Sequence, residues 1–484
     1  MTATAHGLRF ALCAAAFAAL GLLQAPAQPS PPAVAPGLPG TASQPNAPAT
    51  HESTYPIDLP TTLRLAGARN LDIQIAREAL HEAQANRQSA VEQFFPWVTP
   101  GVAYHRLDGM AQAVPSGVIS DTHFQSYAPG AALTARAALG DAIYNSLAAK
   151  QLVAAADQAL AAQRQDSVLA AAQGYFDLVK TSALVDVVQE AIRISQDYQQ
   201  QLHAAVTSGI AFRGDELRVQ TQTEQYRIVL EQRRAQARVA GVNLAQVLHL
   251  DASVALVLRD TGLVALRLFP TNSLLSTLVQ QALHSRPELK QSRAFLAARR
   301  ATKNGAVYGP WIPSLGAQVF GGGLGGGPDG GPGSFGTEAD YMVDLSWRIG
   351  PGGLFDVGRI RASQARLAAA QLADAKLKDT VVADVVASLT QIKSTQVQIE
   401  LAERNLATAT ETLDLTRQRK QFGVGIVLED IEAQQALTQA RSAYVTALAE
   451  FDQAQYALSR AVGTLDPVSP DSNSPPTPST SPAP

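Results

Sequence analysis

Two kinds of hydrophobic spacing divide this chain. Val385, Ile392, Ile399, Leu406 and Leu413 recur every seven residues, and so do Leu437, Tyr444, Phe451 and Leu458. Ala440, Ala447, Ala454 and Ala461 each follow a member of the second set by three. An a/d repeat of this kind predicts two long helices packed together, large residues against alanine. Leu230, Ala237 and Leu244, with Tyr226, Ala240 and Val247, keep part of the pattern earlier in the chain. No proline lies between Pro129 and Pro270, or between Pro351 and Pro467. Proline inside a helix costs about 3 kcal/mol, so both tracts can hold uninterrupted helices. Helices are expected over 141–207 and 354–421, each about 100 Å long at about 1.5 Å per residue. They break at Ser208-Gly209-Ile210 and Gly423-Val424-Gly425, and a return helix is expected after each break.

The second spacing is period two. In 339–349, Tyr341, Val343, Leu345, Trp347 and Ile349 share one face, while Met342, Asp344, Ser346 and Arg348 share the other. Alternation over about ten residues, with aromatics near both ends, fits a transmembrane β-strand. Weaker versions occupy 98–107, 124–136 (Tyr127, Ala131, Leu133 and Ala135 on one face) and 314–320. The segment with Gly109, Pro115, Ser116 and Gly117 reads as a loop, and the glycine-dominated 321–336 as a flexible external loop. No Gly-Lys-Ser/Thr follows the glycines, so they are not a phosphate cradle. Four strands cannot close a barrel, and an open sheet in lipid leaves backbone groups unpaired. Pooled strands would number about eight from two chains or about 12 from three.

The same order occurs twice. Asn70-Leu71-Asp72-Ile73 precedes Pro96-Trp97-Val98; further on, Arg286-Pro287-Glu288-Leu289 precedes Pro310-Trp311-Ile312. Each copy continues through two alternating segments into a long helix. The period is too long for a solenoid and implies a tandem duplication, 56–270 and 271–463.

The termini set the compartment. Arg9, the apolar run 10–23 and Ala25-Pro26-Ala27 read as a secretory signal peptide over 1–27. Residues 28–55 read as a flexible linker and 464–484 as a disordered tail, both rich in proline and small polar residues. The single cysteine, Cys13, leaves with the signal, so no disulfide or thiolate chemistry remains. Loss of Arg9 takes the formal charge from −3 to −4, which argues against nucleic acid as a partner. The eight histidines are scattered, and neither His-x-x-x-His nor Gly-x-Ser-x-Gly occurs. No catalytic, metal or cofactor site is expected, and the chain does not read as an enzyme. A secreted coiled-coil structural protein would explain the heptads but not the alternating segments.

The full order resembles the TolC-like outer-membrane efflux family over about 57–465. The resemblance is carried by 66–73 with Pro96-Trp97, by Arg286-Pro287-Glu288-Leu289 with Pro313-Ser314-Leu315, by the turn Gly350-Pro351-Gly352-Gly353-Leu354-Phe355-Asp356, and by the closing Leu458-Ser459-Arg460-Ala461-Val462-Gly463. It implies a mainly α chain with a transmembrane β-barrel. A homotrimer would pool four strands per protomer into a 12-stranded barrel in outer-membrane lipid, continued by a periplasmic α-helical barrel. It also implies a passive exit duct for small molecules, docked through a periplasmic adaptor onto an inner-membrane pump. A duct for secreted polypeptides has the same architecture. The adaptor-contact tips carry over to Ser208-Gly209-Ile210-Ala211-Phe212 and Phe422-Gly423-Val424-Gly425-Ile426, with Val427 and Leu428 in place of the more typical Ser/Thr. A carboxylate gate at the periplasmic mouth carries over to Glu429 and Glu432 with Asp430 between them. Three-residue spacing puts the two glutamates on one helix face. Asp215 and Arg218 hold the equivalent place in the first copy, and Arg218 could bridge to Glu432 or Asp430.

Overall fold

The computed structural model describes residues 54–95, 97–112, 117–251, 253–259, 262–270, 273–328, 334–421 and 426–465. The expected signal peptide with Cys13, nearly all of the linker, the tip residues Phe422, Gly423, Val424 and Gly425, and the tail from 466 onward lie outside the described residues. In chain order the elements are β1 (Thr54–Ile57), α1 (Leu59–Arg69), α2 (Leu71–Glu92), β2 (Trp97–Gln112), β3 (Ile119–Ala137), α3 (Leu139–Thr207) and α4 (Arg213–Val247). Then follow β4 (Ala255–Leu258), α5 (Leu275–Ser285), α6 (Pro287–Tyr308), a 3-10 turn at Gly309–Trp311, β5 (Ser314–Pro328), β6 (Ser334–Ser346), α7 (Val357–Gln421) and α8 (Val427–Val462). The doubled order expected from the sequence is present.

Local chemistry sets the starts of the helices. Asp58 caps α1 by accepting the Thr61 N–H at 2.8 Å, and Pro60 sits in the first turn, where no N–H is needed. Asn70 caps α2 through the Asp72 and Ile73 N–H groups, at 2.8 and 3.3 Å. The ends of the linker and tail differ from expectation. Thr54 and Tyr55 belong to β1, which pairs in parallel with β4, and Leu465 is buried beside Ile57, Phe176 and Tyr456. Apolar residues at both margins are long enough to reach the core.

The long helices follow the heptads. With 69 and 65 residues, α3 and α7 each run about 100 Å. Val385, Ile392 and Leu413 of α7 are buried, as are Leu437, Phe451, Leu458 and their alanine partners on α8. In the first copy Gly174 lets α4 close in: a Cβ there would lie 3.2 Å from the Leu244 side chain.

The four remaining strands form one antiparallel sheet in the order β2-β3-β5-β6. They are longer than the sequence implied, and the glycine-rich loop expected over 321–336 is corrected. Gly321 pairs with Ala131 on one side and Ala339 on the other, and Gly325 with Tyr127 and Phe335. Gly109 likewise lies within β2. Glycine weakens a strand because it has nothing to pack, but here large neighbours cover it. A Cβ on Gly325 would strike the Tyr127 ring at 2.5 Å, and one on Gly322 would meet the Pro129 carbonyl at 2.3 Å. Close approach of backbone and rings therefore requires glycine at these positions.

Register sorts the sheet into two faces. One carries the cross-strand rows Leu133–Val319–Tyr341, Ala135–Ala317–Val343 and Ala137–Leu315–Leu345, with Tyr104–Tyr127–Gly325–Phe335 toward the far end. The other carries Thr134–Gln318–Met342, Ala132–Phe320–Asp340 and Gly316–Asp344. An apolar face ending in aromatics, backed by a mixed face that carries Thr134, Gln318, Asp340 and Asp344, is the alternation of a membrane barrel wall. Tyr341 and Val343 are about three-quarters exposed, so within one chain nothing covers the apolar face.

Candidate functional site: an open barrel wall and its helical tips

Two features of the sheet govern what it can do. Its outer strands, β2 and β6, each have one unpaired edge. Such edges cannot stay open in hydrocarbon. At the base, Trp347 donates its indole N–H to the Trp311 carbonyl at 3.3 Å, and both rings are exposed, as suits a membrane interface. The wall is joined rigidly to the helices there. Arg359 of α7 donates to Asp141 of α3 at 2.5 Å, while Asp356 accepts the Gly352 and Arg359 N–H groups, each at 2.8 Å.

Among the described residues, no helix is long and apolar enough to cross a membrane, and no cluster of three or more His, Asp or Glu could hold a metal ion.

The first tip is a Schellman turn. Gly209 takes φ 73°, its N–H reaches the Val206 carbonyl at 3.0 Å, and the Ile210 N–H reaches the Ala205 carbonyl at 2.9 Å. Ile210 and Phe212 then project, 83% and 75% exposed, while Ala211 turns inward beside Leu202, Val219, Ile431 and Val427. That small cluster ties the first tip to the start of α8. Of the second tip, Ile426 is exposed at the start of α8.

The candidate gate residues occupy three different settings. Glu432 is exposed, and Glu429 accepts from Arg419 of α7 at 3.2 Å. Asp430 is buried instead, facing Tyr198 in a cleft of about 500 Å³ also lined by Arg193, Asp197, Arg417 and Gln434. Burial first, and the neighbouring Asp430 second, push the Tyr198 hydroxyl above its ordinary pKa. Asp430 falls on the same α8 face as Gln434 and Leu437, which is the packed face, and there it faces α3. Asp215 and Arg218 pair with each other at 3.1 Å along α4, in place of the expected bridge from Arg218 to Glu432 or Asp430. The seam continues where Gln434 donates to the Ala191 carbonyl at 2.8 Å and Gln435 to Gln222 at 2.7 Å.

A second polar node went unnoticed in the sequence. Arg460 of α8 is buried and donates to Asp166 of α3 at 2.7 Å and to Glu288 of α6. Arg286, also buried, donates to Asp384 of α7 at 2.9 Å. The Arg286-Pro287-Glu288 and Leu458-Ser459-Arg460 motifs thus meet through Glu288 and Arg460. A lone arginine in an apolar closing segment was the available signal.

This architecture defines a class, the outer-membrane channels that join a β-barrel wall to long helices. The chain is similar to the outer-membrane channel OprN (TM-score 0.70, 18% identity, 84% of this chain and 90% of that one). It is similar to the Campylobacter jejuni CmeC outer membrane channel (0.69, 17%, 84% and 85%) and to the Neisseria gonorrhoeae MtrE outer membrane channel in its open state (0.65, 16%, 84% and 89%). Residues 278–464 match the family described as outer membrane efflux protein. Comparison with curated protein sequences gives no match. The fold is thus that of the outer-membrane channels, and the family match runs from α5 to the end of α8.

Proposed function

We propose that three copies of this chain form the passive exit duct of a tripartite efflux system, releasing small molecules through the outer membrane. The observation that carries this reading is the four-stranded sheet with two unpaired edges and an uncovered apolar face. Three such sheets give about 12 strands, enough for a barrel with an aqueous lumen. The helices continue each wall segment into the periplasm. Their tips offer Gly209, Ile210, Ala211 and Phe212, and Gly423 to Ile426, to a periplasmic adaptor, which couples the duct to an inner-membrane pump. Glu429 and Glu432 form the acidic mouth, and Asp215 with Arg218 stands at the matching place on the first hairpin. The resemblance to outer-membrane channels supports this reading, and no chemistry on substrate is required of a duct. The test is purification from outer membranes followed by planar-bilayer recording. A trimer that conducts ions supports the reading; a non-conducting protein of any size refutes it.

A further inference from the structure

The apolar face of the sheet changes character along its height. From the row Ala137–Leu315–Leu345 to the row Tyr104–Tyr127–Gly325–Phe335, this face carries no charged residue among the described residues of β2, β3, β5 and β6. Phe335 and Leu345 stand ten residues apart on β6. That is about 34 Å along a strand, and about 26 Å of height at a strand tilt of about 40°. The apolar band of an outer-membrane barrel is about 25 Å tall. The row of Tyr104, Tyr127 and Phe335 therefore marks one edge of the hydrocarbon, and the exposed rings of Trp311 and Trp347 mark the other.

The same register fixes what lies beyond the far edge. Next on this face comes the row Arg106–Gln125, then Asp108–His123, then Met110–Asp121. Each row is two residues on, about 5 Å of height. The headgroup layer adds about 5–7 Å on each side of the hydrocarbon. Arg106 is thus the first charge met on leaving the apolar band, at the level where an anionic lipid carries its phosphate. The carboxylates Asp108 and Asp121 stand further out. We propose that Arg106 binds the phosphate of a lipid in the outer leaflet, with Asp108 and His123 as positioning residues. The inference rests on the reading of the sheet as an outer-membrane wall and specifies the lipid chemistry that the wall selects.

The local geometry suits that role. The Arg106 side chain is 56% exposed, and its Nε donates to Asp108 at 2.7 Å. Asp108 also meets Nδ1 of His123 at 3.1 Å, so two strands fix its carboxylate. The carboxylate engages one of the five guanidinium N–H groups and orients the others. A planar guanidinium presents paired N–H groups to phosphate oxygens, which a neutral headgroup cannot match. As a surface ion pair alone, Arg106 and Asp108 would add little to stability.

The test uses the full chain purified from outer membranes. It is incubated with diphosphorylated lipid A, or with the same lipid stripped of its phosphates, and bound lipid is counted by native mass spectrometry. Wild type should retain the phosphorylated form about tenfold better, as expected for a hydrogen bond between charged groups. Arg106→Gln should abolish that preference and Arg106→Lys should keep part of it. Glu338→Gln, on the opposite face of the sheet, should leave it intact. Asp108→Asn and His123→Gln should weaken the preference without changing the heat stability of the folded barrel band; loss of both together would count against a positioning role. Equal retention of the two lipids by wild type, or a preference that survives Arg106→Gln, would overturn the site and leave the duct reading standing. A wild-type chain recovered in the soluble fraction instead of the outer membrane would overturn both.

Discussion

Tyr127 of β3 and Phe335 of β6 stack across the intervening β5, with ring centroids 6.1 Å apart and planes 14° from parallel. Gly325 lies between them in the register and leaves the space their rings fill. Stacked pairs of this kind contribute about 0.5–1.5 kcal/mol beyond area burial. Replacing either ring by alanine exposes a glycine backbone on the lipid face. We expect Tyr127→Ala and Phe335→Ala each to lower the temperature at which the folded barrel band disappears on unheated gels. The double variant should fall short of the sum, because the pair is coupled. Full additivity would show that the rings act independently.

The same strand explains what the sequence hid. Heptads, proline-free tracts and alternation placed the long helices and the cores of β2, β3, β5 and β6, because these signals are local, whereas the short pair β1 and β4 carries none. Residues 321–326 carry no such signal: their strand state is imposed by Ser126–Ala131 on one side and Ser334–Ala339 on the other. Tertiary pairing overrides local propensity there. The buried place of Asp430 was hidden for a related reason. Its acidic neighbours suggested an exposed ring, but Ile431, Gln434 and Leu437 define the packed face, and Asp430 falls on it.

Arg460 holds three helices together, and removing it leaves Glu288 and Asp166 without their cation. Glu288 is mostly buried. Burial alone would raise its pKa, but the Arg460 guanidinium outweighs that and holds it below the usual carboxylate value. Breaking a buried pair from one side typically costs about 3–5 kcal/mol. Arg460→Ala should therefore lower helix unfolding temperature sharply, while Arg460→Ala with Glu288→Gln should recover part of the loss. Because the folded pKa is lowered, the stabilisation is present at neutral pH and fades as pH falls below the ordinary glutamate value. Circular dichroism melts at pH 7 and pH 3 would check this: the gap between wild type and Arg460→Ala should narrow at pH 3.

Asp452 has the opposite sign. It is 1% exposed on α8, and one carboxylate oxygen accepts the Leu266 N–H at 2.7 Å. Next to it, Gln455 accepts the Phe269 N–H at 2.9 Å, so the two side chains pin the segment that links the repeats. Burial pushes the Asp452 carboxyl up to about 7. The folded state thus prefers the protonated form. Stability is fully present below the ordinary aspartate pKa, declines as pH rises toward 7, and is flat above it. Asp452→Asn keeps the acceptor and removes the charge. It should match wild type at pH 4 and exceed it at pH 8, by at most about 4 kcal/mol per chain. Slower hydrogen exchange of the Leu266 and Phe269 amides at pH 8 is the expected readout; equal exchange in both proteins would show that Asp452 is not the controlling group.

Near the helical tips, charge and tether can be separated. Glu429 and Glu432 reach solvent near the tips, while Asp430 and Tyr198 hold α8 to α3. In a three-fold assembly the two glutamates would place about six carboxylates around one opening, which favours cations there. Glu429→Ala with Glu432→Ala should reduce cation preference in asymmetric salt with a modest change in conductance. Tyr198→Phe should leave the charge intact and loosen the seam, raising conductance or open time while preserving ion preference. The two variants therefore move different observables in the same recording. If Glu429→Ala with Glu432→Ala left the reversal potential unchanged, these carboxylates would not line the narrowest point. If Tyr198→Phe altered only the reversal potential, the hydroxyl would be acting on permeating ions and not as a tie between hairpins.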